Sequence, residues 1–364
     1  MLEYSVMERM QHIFKEGVDA QVMSDWTEDD ISYMCRALEI AERGRSKVSP
    51  NPLVGCVLVK DGRIIAEGWH DHLGGLHAEQ MAIHDAEENG ISPNGSTAYV
   101  TLEPCNHYGR TPPCTEALMW AGIKEVVIAH EDPNPTVRGK GSQTLIEAGI
   151  QVRQGLCSQE AHEQMLPFMH WCKHRRPLVT VKLAQNLEGS VDDRSGTSKR
   201  FTSEECLRHV HELRADVDAI LVGANTVLRD DPQLTVRGVQ VRNQPLRIVI
   251  DPNGKCPLNA KFTQSEGKFL HLTSSFSSLE SLLHMLADQN IQRLLVEGGP
   301  TTIHEFLKHG FVDEFYLVLS NEHHVEPFFS GIDEQALVQS GLVKLKTLKW
   351  GPEEVHYFRK RIEV

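Results

Sequence analysis

His77 and Glu79 stand two residues apart in "HAEQMAIHDA", residues 77–86, at what reads as the first turn of a helix. Such a pair is common on solvated helix faces. Its weight changes with the stretch "TLEPCNHYGRTPPCTEAL" downstream. There Cys105 follows Pro104 in a loop leaving a strand, and Cys114 follows Pro112-Pro113 at the start of the next helix. Eight residues separate the two cysteines, so a loop must fold them onto one ion. One imidazole and two thiolates are the ligand set of a catalytic zinc that keeps its fourth position for water. A cysteine at a helix N-terminus has its thiolate favoured by the dipole. Zinc makes its water acidic near neutral pH, and Glu79 could move protons beside it without ligating. A purely structural zinc site would recruit a fourth ligand, and His107 is available for that.

The elements around these residues alternate. "WTEDDISYMCRALEIAERG" reads as a helix capped by Thr27 and ended by Gly44. "LVGCVLVKDGRIIAEGW" reads as a hairpin around Asp61-Gly62. Then come the helix from His77, the strand "STAYVTL", the helix "PCTEALMWAG", the strand "EVVIA", the helix "GSQTLIEAG" and the strand "IQVRQG". This order predicts an α/β layer architecture with partly parallel pairing. The basic run "FMHWCKHRRPL" at 168–178 marks a domain boundary. Expected divisions are an extension at 1–26, a first domain at 27–174 and a second at 175–364. The second series runs through "LVTVKLAQNLEG", "VDAILVGANT", "PLRIVIDPNG", "GKFLHLTSS", "IQRLLVEGGP" and "DEFYLVLS". Helices at "SEECLRHVHELRA", "LESLLHMLADQ" and after Gly299 separate them, and two strands close the chain.

The chain has 364 residues, 40% hydrophobic and 24% charged, the balance of an ordinary globular protein of about two domains. Its formal net charge of −13 argues against a general nucleic-acid binder, which needs a basic surface. No apolar run approaches the roughly 20 residues that span a bilayer. The first 20 residues mix charges through their apolar positions, unlike a secretory signal. A cytoplasmic enzyme with its eight cysteines mostly as thiols is expected.

His-x-Glu followed by Pro-Cys and a second Cys is the signature of zinc nucleobase deaminases, here with a longer cysteine spacing. Together "NPLVGCVLV", "HAEQMAI", "TLEPCNHYGRTPPC" and "DPNPTVRGKG" resemble the bifunctional deaminase–reductase family of riboflavin biosynthesis, from about residue 28 to residue 320. The resemblance implies a cytidine-deaminase-like three-layer domain followed by a dihydrofolate-reductase-like α/β domain. It implies zinc-dependent hydrolytic deamination of a diaminopyrimidinone carrying a ribosylamino 5′-phosphate, then NADPH-dependent reduction of the ribosyl chain. By it, His77, Cys105 and Cys114 are the zinc ligands and Glu79 the proton carrier. Asn51, His70, His107 and Arg110 meet the substrate. Asn51 before Pro52 also suits a turn, and Arg110 a solvated loop.

No Gly-x-Gly-x-x-Gly follows a strand, so an ordinary Rossmann site is not expected. "LLVEGGPTTIHEFL" offers a strand, two glycines and a helix start, a weak phosphate-binding signal alone. Other stretches, above all "ADVDAILVGANTVLRDDPQLTVR", resemble the reductase half of the family. That resemblance places NADPH at Ala184, Arg200, Thr226, Asp230, Gly298 and Gly299. It places the substrate at Lys182, Ser198, Arg214, Leu234, Arg237 and Glu297, with Lys182 counted as catalytic beside Glu79. Arg214 suits a helix-face charge equally well. The chain departs from the family in Asn186-Leu187-Glu188-Gly189 for Ser-Leu-Asp-Gly, in Arg200 for a tryptophan, and in "NEHHVEPFFSGID" after "FYLVLS". Arg200 suits the 2′-phosphate of NADPH. The expected partners are a small phosphorylated pyrimidine and further copies of the chain, with no nucleic acid and no membrane. Three other readings compete: a deaminase with a degenerate, non-catalytic reductase-like domain, a nucleic-acid-editing deaminase, and a non-catalytic protein stabilised by zinc.

Overall fold

The computed structural model describes residues 26–108, 112–134, 138–194, 200–241, 243–273 and 278–361. The expected extension at 1–26, apart from Trp26, and the expected substrate contacts Arg110 and Ser198 lie outside the described residues. The chain divides into two compact units that meet between His174 and Arg175.

The first unit is a three-layer sandwich. Helix α1 (Glu28–Ala41) starts as its sequence dictates: Thr27 accepts from the Asp30 amide, and Asp30 accepts from the Thr27 amide in return. The hairpin β1 (Gly55–Lys60) and β2 (Arg63–Trp69) turns at Asp61 and Gly62, both at positive φ. Helix α2 (Ala78–Glu88) follows, then β3 (Thr97–Leu102), α3 (Cys114–Trp120), β4 (Glu125–His130), α4 (Lys140–Glu147) and β5 (Gln151–Gln154). The sheet order is β2-β1-β3-β4-β5, antiparallel around β1 and parallel from β3 to β5. Period-two alternation sends side chains to two cores. Val57, Tyr99 and Val127 pack under α1, α5 (Ser158–Gln164) and α6 (Leu166–His174). Cys56, Leu58, Val100 and Ile128 pack under α2, α3 and α4. The central strands β1, β3 and β4 are covered on both faces and therefore read as nearly unbroken apolar runs. Residues 168–174 of the basic run lie in α6.

The second unit is built on an eight-stranded sheet of order β10-β9-β8-β11-β6-β12-β15-β14. These strands are β6 (Leu178–Asn186), β8 (Ala219–Gly223), β9 (Leu246–Ile250), β10 (Phe269–Leu272), β11 (Arg293–Val296), β12 (Glu314–Ser320), β14 (Leu342–Trp350) and β15 (Glu353–Lys360). They pair in parallel from β10 to β12, and β15 and β14 close one edge antiparallel. Helices α10 (Leu279–Asp288), α11 (Pro300–Lys308) and α12 (Glu334–Gln339) cover one core. Helices α8 (Ala224–Asp230) and α9 (Lys261–Gln264) pack on another. Helix α7 (Glu204–Ala215) contributes Cys206 and Val210 to a third, with Trp350. The short strand β7 (Ser190–Asp192) pairs with β13 (Phe328–Phe329), so the divergent segment 321–333 is tied to the turn after β6. Among the described residues, no helix is long and apolar enough to cross a membrane.

Helix α2, whose start carries His77, lies directly on β2 because Gly68 has no side chain. A Cβ there would sit 2.2 Å from the Ala82 nitrogen and 2.3 Å from the Ala78 oxygen. Both are helix backbone, which cannot swing aside. Gly68→Ala is expected to cost roughly 1–3 kcal/mol by overpacking, read from urea unfolding, and to weaken zinc retention through the displaced helix.

Candidate active sites

His77 is the N-cap of α2, with extended backbone, one position earlier than a first-turn residue. Its amide donates to Gln80 Oε1 at 3.3 Å, and Gln80 Nε2 donates to the Pro112 carbonyl at 3.0 Å. Gln80, which sequence reading passed over, therefore ties the first ligand to the loop before the third. Cys105 leaves the C-terminal end of β3, and Cys114 is the first residue of α3. The Cys114 amide donates to Cys105 Sγ at 3.4 Å, and the Thr115 amide to the Cys105 carbonyl at 3.2 Å. The His77 Nδ1 atom lies 3.2 Å from Cys114 Sγ and 3.6 Å from Cys105 Sγ. All three ligand atoms fall within 4.8 Å of one another.

The charge state of this trio fits a divalent cation. The Cys114 thiol donates to Cys105 and, with His77, holds the Cys105 thiol well below its usual range. The same hydrogen bond, with burial, pushes Cys114 up. His77 is raised by its hydrogen bond to Cys105. The donors are thus sharing protons around a thiolate, the positions a zinc ion takes when it displaces them. Glu79 is 3% exposed, and burial, with the Cys105 charge nearby, raises its carboxyl. A carboxyl raised in this way takes up and releases a proton more readily than an ordinary carboxylate.

His70 is buried, with its ring centroid 5.5 Å from that of His77. Its Nδ1 donates to the Leu76 carbonyl at 2.8 Å, which leaves Nε2 to accept from Asn51 Nδ2 at 3.0 Å. Burial keeps the imidazole neutral by lowering its pKa. Asn51 and His70 are thereby joined beside the ligand trio, while His107 is exposed. Sequence reading also missed Glu103. Its buried carboxylate accepts from the Gly139 amide at 2.9 Å and the Ser142 amide at 3.0 Å, capping α4 immediately before the Cys105 loop. The loop is pressed close there: a Cβ on Gly141 would lie 2.0 Å from the Pro104 oxygen. The oxygen of Asn106 accepts from Thr115 at 2.9 Å and its amide donates to Thr144 at 2.9 Å, fixing the same loop from two helices. His84 is exposed beside Glu88, an ordinary helix-surface residue.

In the second unit, Arg214 of α7 grips Glu297 in two parallel bonds of 2.6 and 2.9 Å, and Lys182 Nζ lies 4.0 Å from the same carboxylate. Burial opposes the charge on Glu297, but Arg214 overcomes it and holds the carboxyl below its usual range. Arg214 is therefore a buried, forked partner and not a solvated helix charge. It also reaches the Thr235 carbonyl at 3.3 Å. Arg237 bonds Thr235 Oγ1 at 2.9 Å and Gln233 at 3.0 Å. Leu234, buried between them in the chain, has φ of 57°, an uncommon conformation for a branched side chain. Gly298 and Gly299 form the turn between β11 and α11, where the Gly299 amide donates to Thr226 Oγ1 at 3.0 Å. Ala184 lies on β6 and packs beside the α7 core, and Asp230 is exposed at the end of α8. Arg200 pairs with Glu204 and donates to the Thr202 carbonyl, and is largely exposed. The Asn186 side chain accepts from the Glu188 and Ser190 amides, holding the Asn-Leu-Glu-Gly turn.

His211 is a further residue that sequence reading did not find. It is 4% exposed, and its Nδ1 accepts from the Arg237 amide at 3.2 Å. Burial, then Arg214 and Arg237, lower its pKa to about 4, against the opposing pull of Glu297 and the Thr235 backbone. Below the ordinary histidine value of about 6.5 the unfolded chain takes up this proton and the folded one does not. The second unit's stability is therefore expected to fall as pH drops from about 6.5 towards 4. His211→Asn, whose oxygen can accept the same amide without titrating, is expected to flatten that slope in thermal melts. Equal slopes for both proteins would show that His211 is not responsible.

Residues 27–130 match the family described as the cytidine and deoxycytidylate deaminase zinc-binding region, and residues 177–352 match the RibD C-terminal domain. The chain is 42% identical over 314 residues to the riboflavin biosynthesis protein RibD of Aquifex aeolicus, covering 80% of this chain and 87% of that protein. It is 38% identical over 349 residues to the protein of the same name from Escherichia coli K12, covering 87% and 93%. The solved structure of a diaminohydroxyphosphoribosylaminopyrimidine deaminase/5-amino-6-(5-phosphoribosylamino)uracil reductase from Thermotoga maritima aligns with a TM-score of 0.83 at 36% identity, over 92% of this chain and 99% of that one.

Proposed function

The chain belongs to the bifunctional RibD family of riboflavin biosynthesis, and from that premise we propose how its residues divide two reactions on one phosphorylated pyrimidine. The enzyme deaminates 2,5-diamino-6-ribosylamino-4(3H)-pyrimidinone 5′-phosphate by hydrolysis, with Zn²⁺ as cofactor. It then reduces the ribosyl chain with NADPH to give 5-amino-6-ribitylaminouracil 5′-phosphate.

In the first unit, residues 27–174, His77, Cys105 and Cys114 hold the zinc. When bound, the ion supplies the Lewis acidity that makes a water nucleophilic near neutral pH. Glu79, its carboxyl raised first by burial and then by the Cys105 charge, takes a proton from the water side and returns it to the departing amine. Ammonia leaves and a carbonyl replaces the amine. Neutral His70 and Asn51 orient the ring, and His107 with Arg110 meet its outer part. The observation that carries this reading is the convergence of three ligand atoms within 4.8 Å beside a buried glutamate.

In the second unit, residues 175–364, the Gly298-Gly299 turn, Thr226, Ala184, Asp230 and Arg200 contact NADPH, which supplies the hydride when bound. Lys182, the catalytic residue of this unit, has its Nζ 4.0 Å from the Glu297 carboxylate. Arg214 and Glu297 fix each other, and with Leu234, Arg237 and Ser198 position the substrate. This buried pairing supports a working second unit over a degenerate one. A cytoplasmic homo-oligomer belongs to the same proposal, and sedimentation would give the assembly.

Glu79→Gln is expected to keep zinc at wild-type occupancy while ammonia release falls by about 10²-fold or more, as loss of a positioned acid/base requires. Metal analysis and ammonia assay on one preparation decide it. Surviving activity would remove Glu79 from the mechanism, and loss of zinc would make it structural. Arg214→Ala strands the buried Glu297 charge and is expected to destabilise the second unit by roughly 3–5 kcal/mol. NADPH oxidation should be lost while ammonia release persists.

A further inference from the structure

A second cluster of transition-metal donors stands apart from both sites. Asp251 follows β9 directly and is fully buried. The turn after it, with Gly254 at φ of 61°, brings Cys256 back over the strand end. His271 lies on β10, paired with Val249 of β9. Asp251 Oδ2 accepts from the Cys256 amide at 2.8 Å and lies 3.0 Å from His271 Nε2. One carboxylate oxygen, one thiol sulfur and one imidazole nitrogen fall within 4.8 Å of one another. Three separate points on the chain supply them. Phe262 stands edge-on to His271 with centroids 5.7 Å apart and fixes the ring.

We propose that Asp251, Cys256 and His271 form a second binding site for a zinc-class divalent ion. A mixed sulfur, nitrogen and oxygen set excludes calcium and magnesium, which take oxygen, and suits zinc. Zinc bonds of about 2.0–2.3 Å place one oxygen, one nitrogen and one sulfur about 3.3–3.5 Å apart, so no pair closes by more than about 1.5 Å. Binding releases the Cys256 thiol proton to solvent, and neutral His271 ligates through Nε2 with its ring proton on Nδ1. The other Asp251 oxygen keeps the Lys255 amide at 2.9 Å, which orients the carboxylate as an outer-shell partner does. The Ala224 carbonyl, 4.0 Å from Cys256 Sγ, is the nearest source of a fourth donor. Ala224 opens α8, the helix whose Thr226 holds the Gly299 amide. An ion here braces the C-terminal ends of β8, β9 and β10, the edge at which α/β sheets bind ligands.

The test is zinc content of the full chain, loaded with Zn²⁺ and freed of loose metal by gel filtration. The proposal predicts two zinc ions per wild-type chain. It predicts one in Cys256→Ser, with ammonia release retained, and one in Cys105→Ser, with ammonia release lost. One zinc per wild-type chain, or two in Cys256→Ser, overturns it and leaves the deaminase site untouched. If Cys256→Ser does not fold, the chain carrying both Cys105→Ser and Cys114→Ser is loaded with Co²⁺ instead. A thiolate-to-cobalt absorption band then supports the site at Cys256, and its absence overturns it.

Discussion

Everything in the first unit depends on bringing two thiols and an imidazole to within 4.8 Å of one another without a covalent link. Three donors that close repel when all are deprotonated, so they hold protons among themselves or hold a cation. The scaffold accepts that cost by rigidity. Parallel pairing of β3 and β4 places the Cys105 loop at the sheet's C-terminal edge. The bare backbone of Gly68 lets α2 approach until its N-cap reaches the same edge. Glu103 and Asn106 then pin the loop to the helices beside it. The buried glutamate follows from the same packing, because Glu79 lies with Ala78, Ala82 and Ala86 on the buried face of α2.

The second unit answers a different constraint. It buries a carboxylate and a guanidinium together, and such a pair is tolerated only when geometry is good and remaining donors are used. Arg214 meets both requirements through its fork onto Glu297 and its third bond to Thr235. The loop from 233 to 237 is organised around that arginine, with His211 accepting its backbone from below. Arg214 and Lys182 beside the single buried Glu297, with Arg237 close to Arg214, leave positive charge in excess, the electrostatic setting a phosphorylated substrate requires.

The parts legible in the sequence were those written in short-range spacing. His77, Glu79, Cys105 and Cys114 announce themselves by interval and by the prolines between them, and Asp61-Gly62 by turn chemistry. The two-domain order was legible because strands and helices alternate in blocks of ordinary length. Glu103 was not, because its partners lie 36 and 39 residues further on and no local pattern marks a buried cap. His211 was lost inside a helix whose charges read as a solvated face. Arg214, on that same helix, reads equally as surface or site, because its partner Glu297 lies 83 residues away, just past β11. The short helices α8, α9 and α12 were missed since one or two turns carry too little periodicity to register.

The central claim is that two chemistries run in order on one substrate. The most direct measurement follows ammonia and NADPH together, with the zinc-loaded full chain and the phosphorylated diaminopyrimidinone. Ammonia release should proceed with or without NADPH. With NADPH present, oxidation should lag ammonia at first and then reach one equivalent per ammonia released. A zinc-loaded, folded protein that releases ammonia and leaves NADPH untouched would contradict the account, as would NADPH oxidation that precedes deamination.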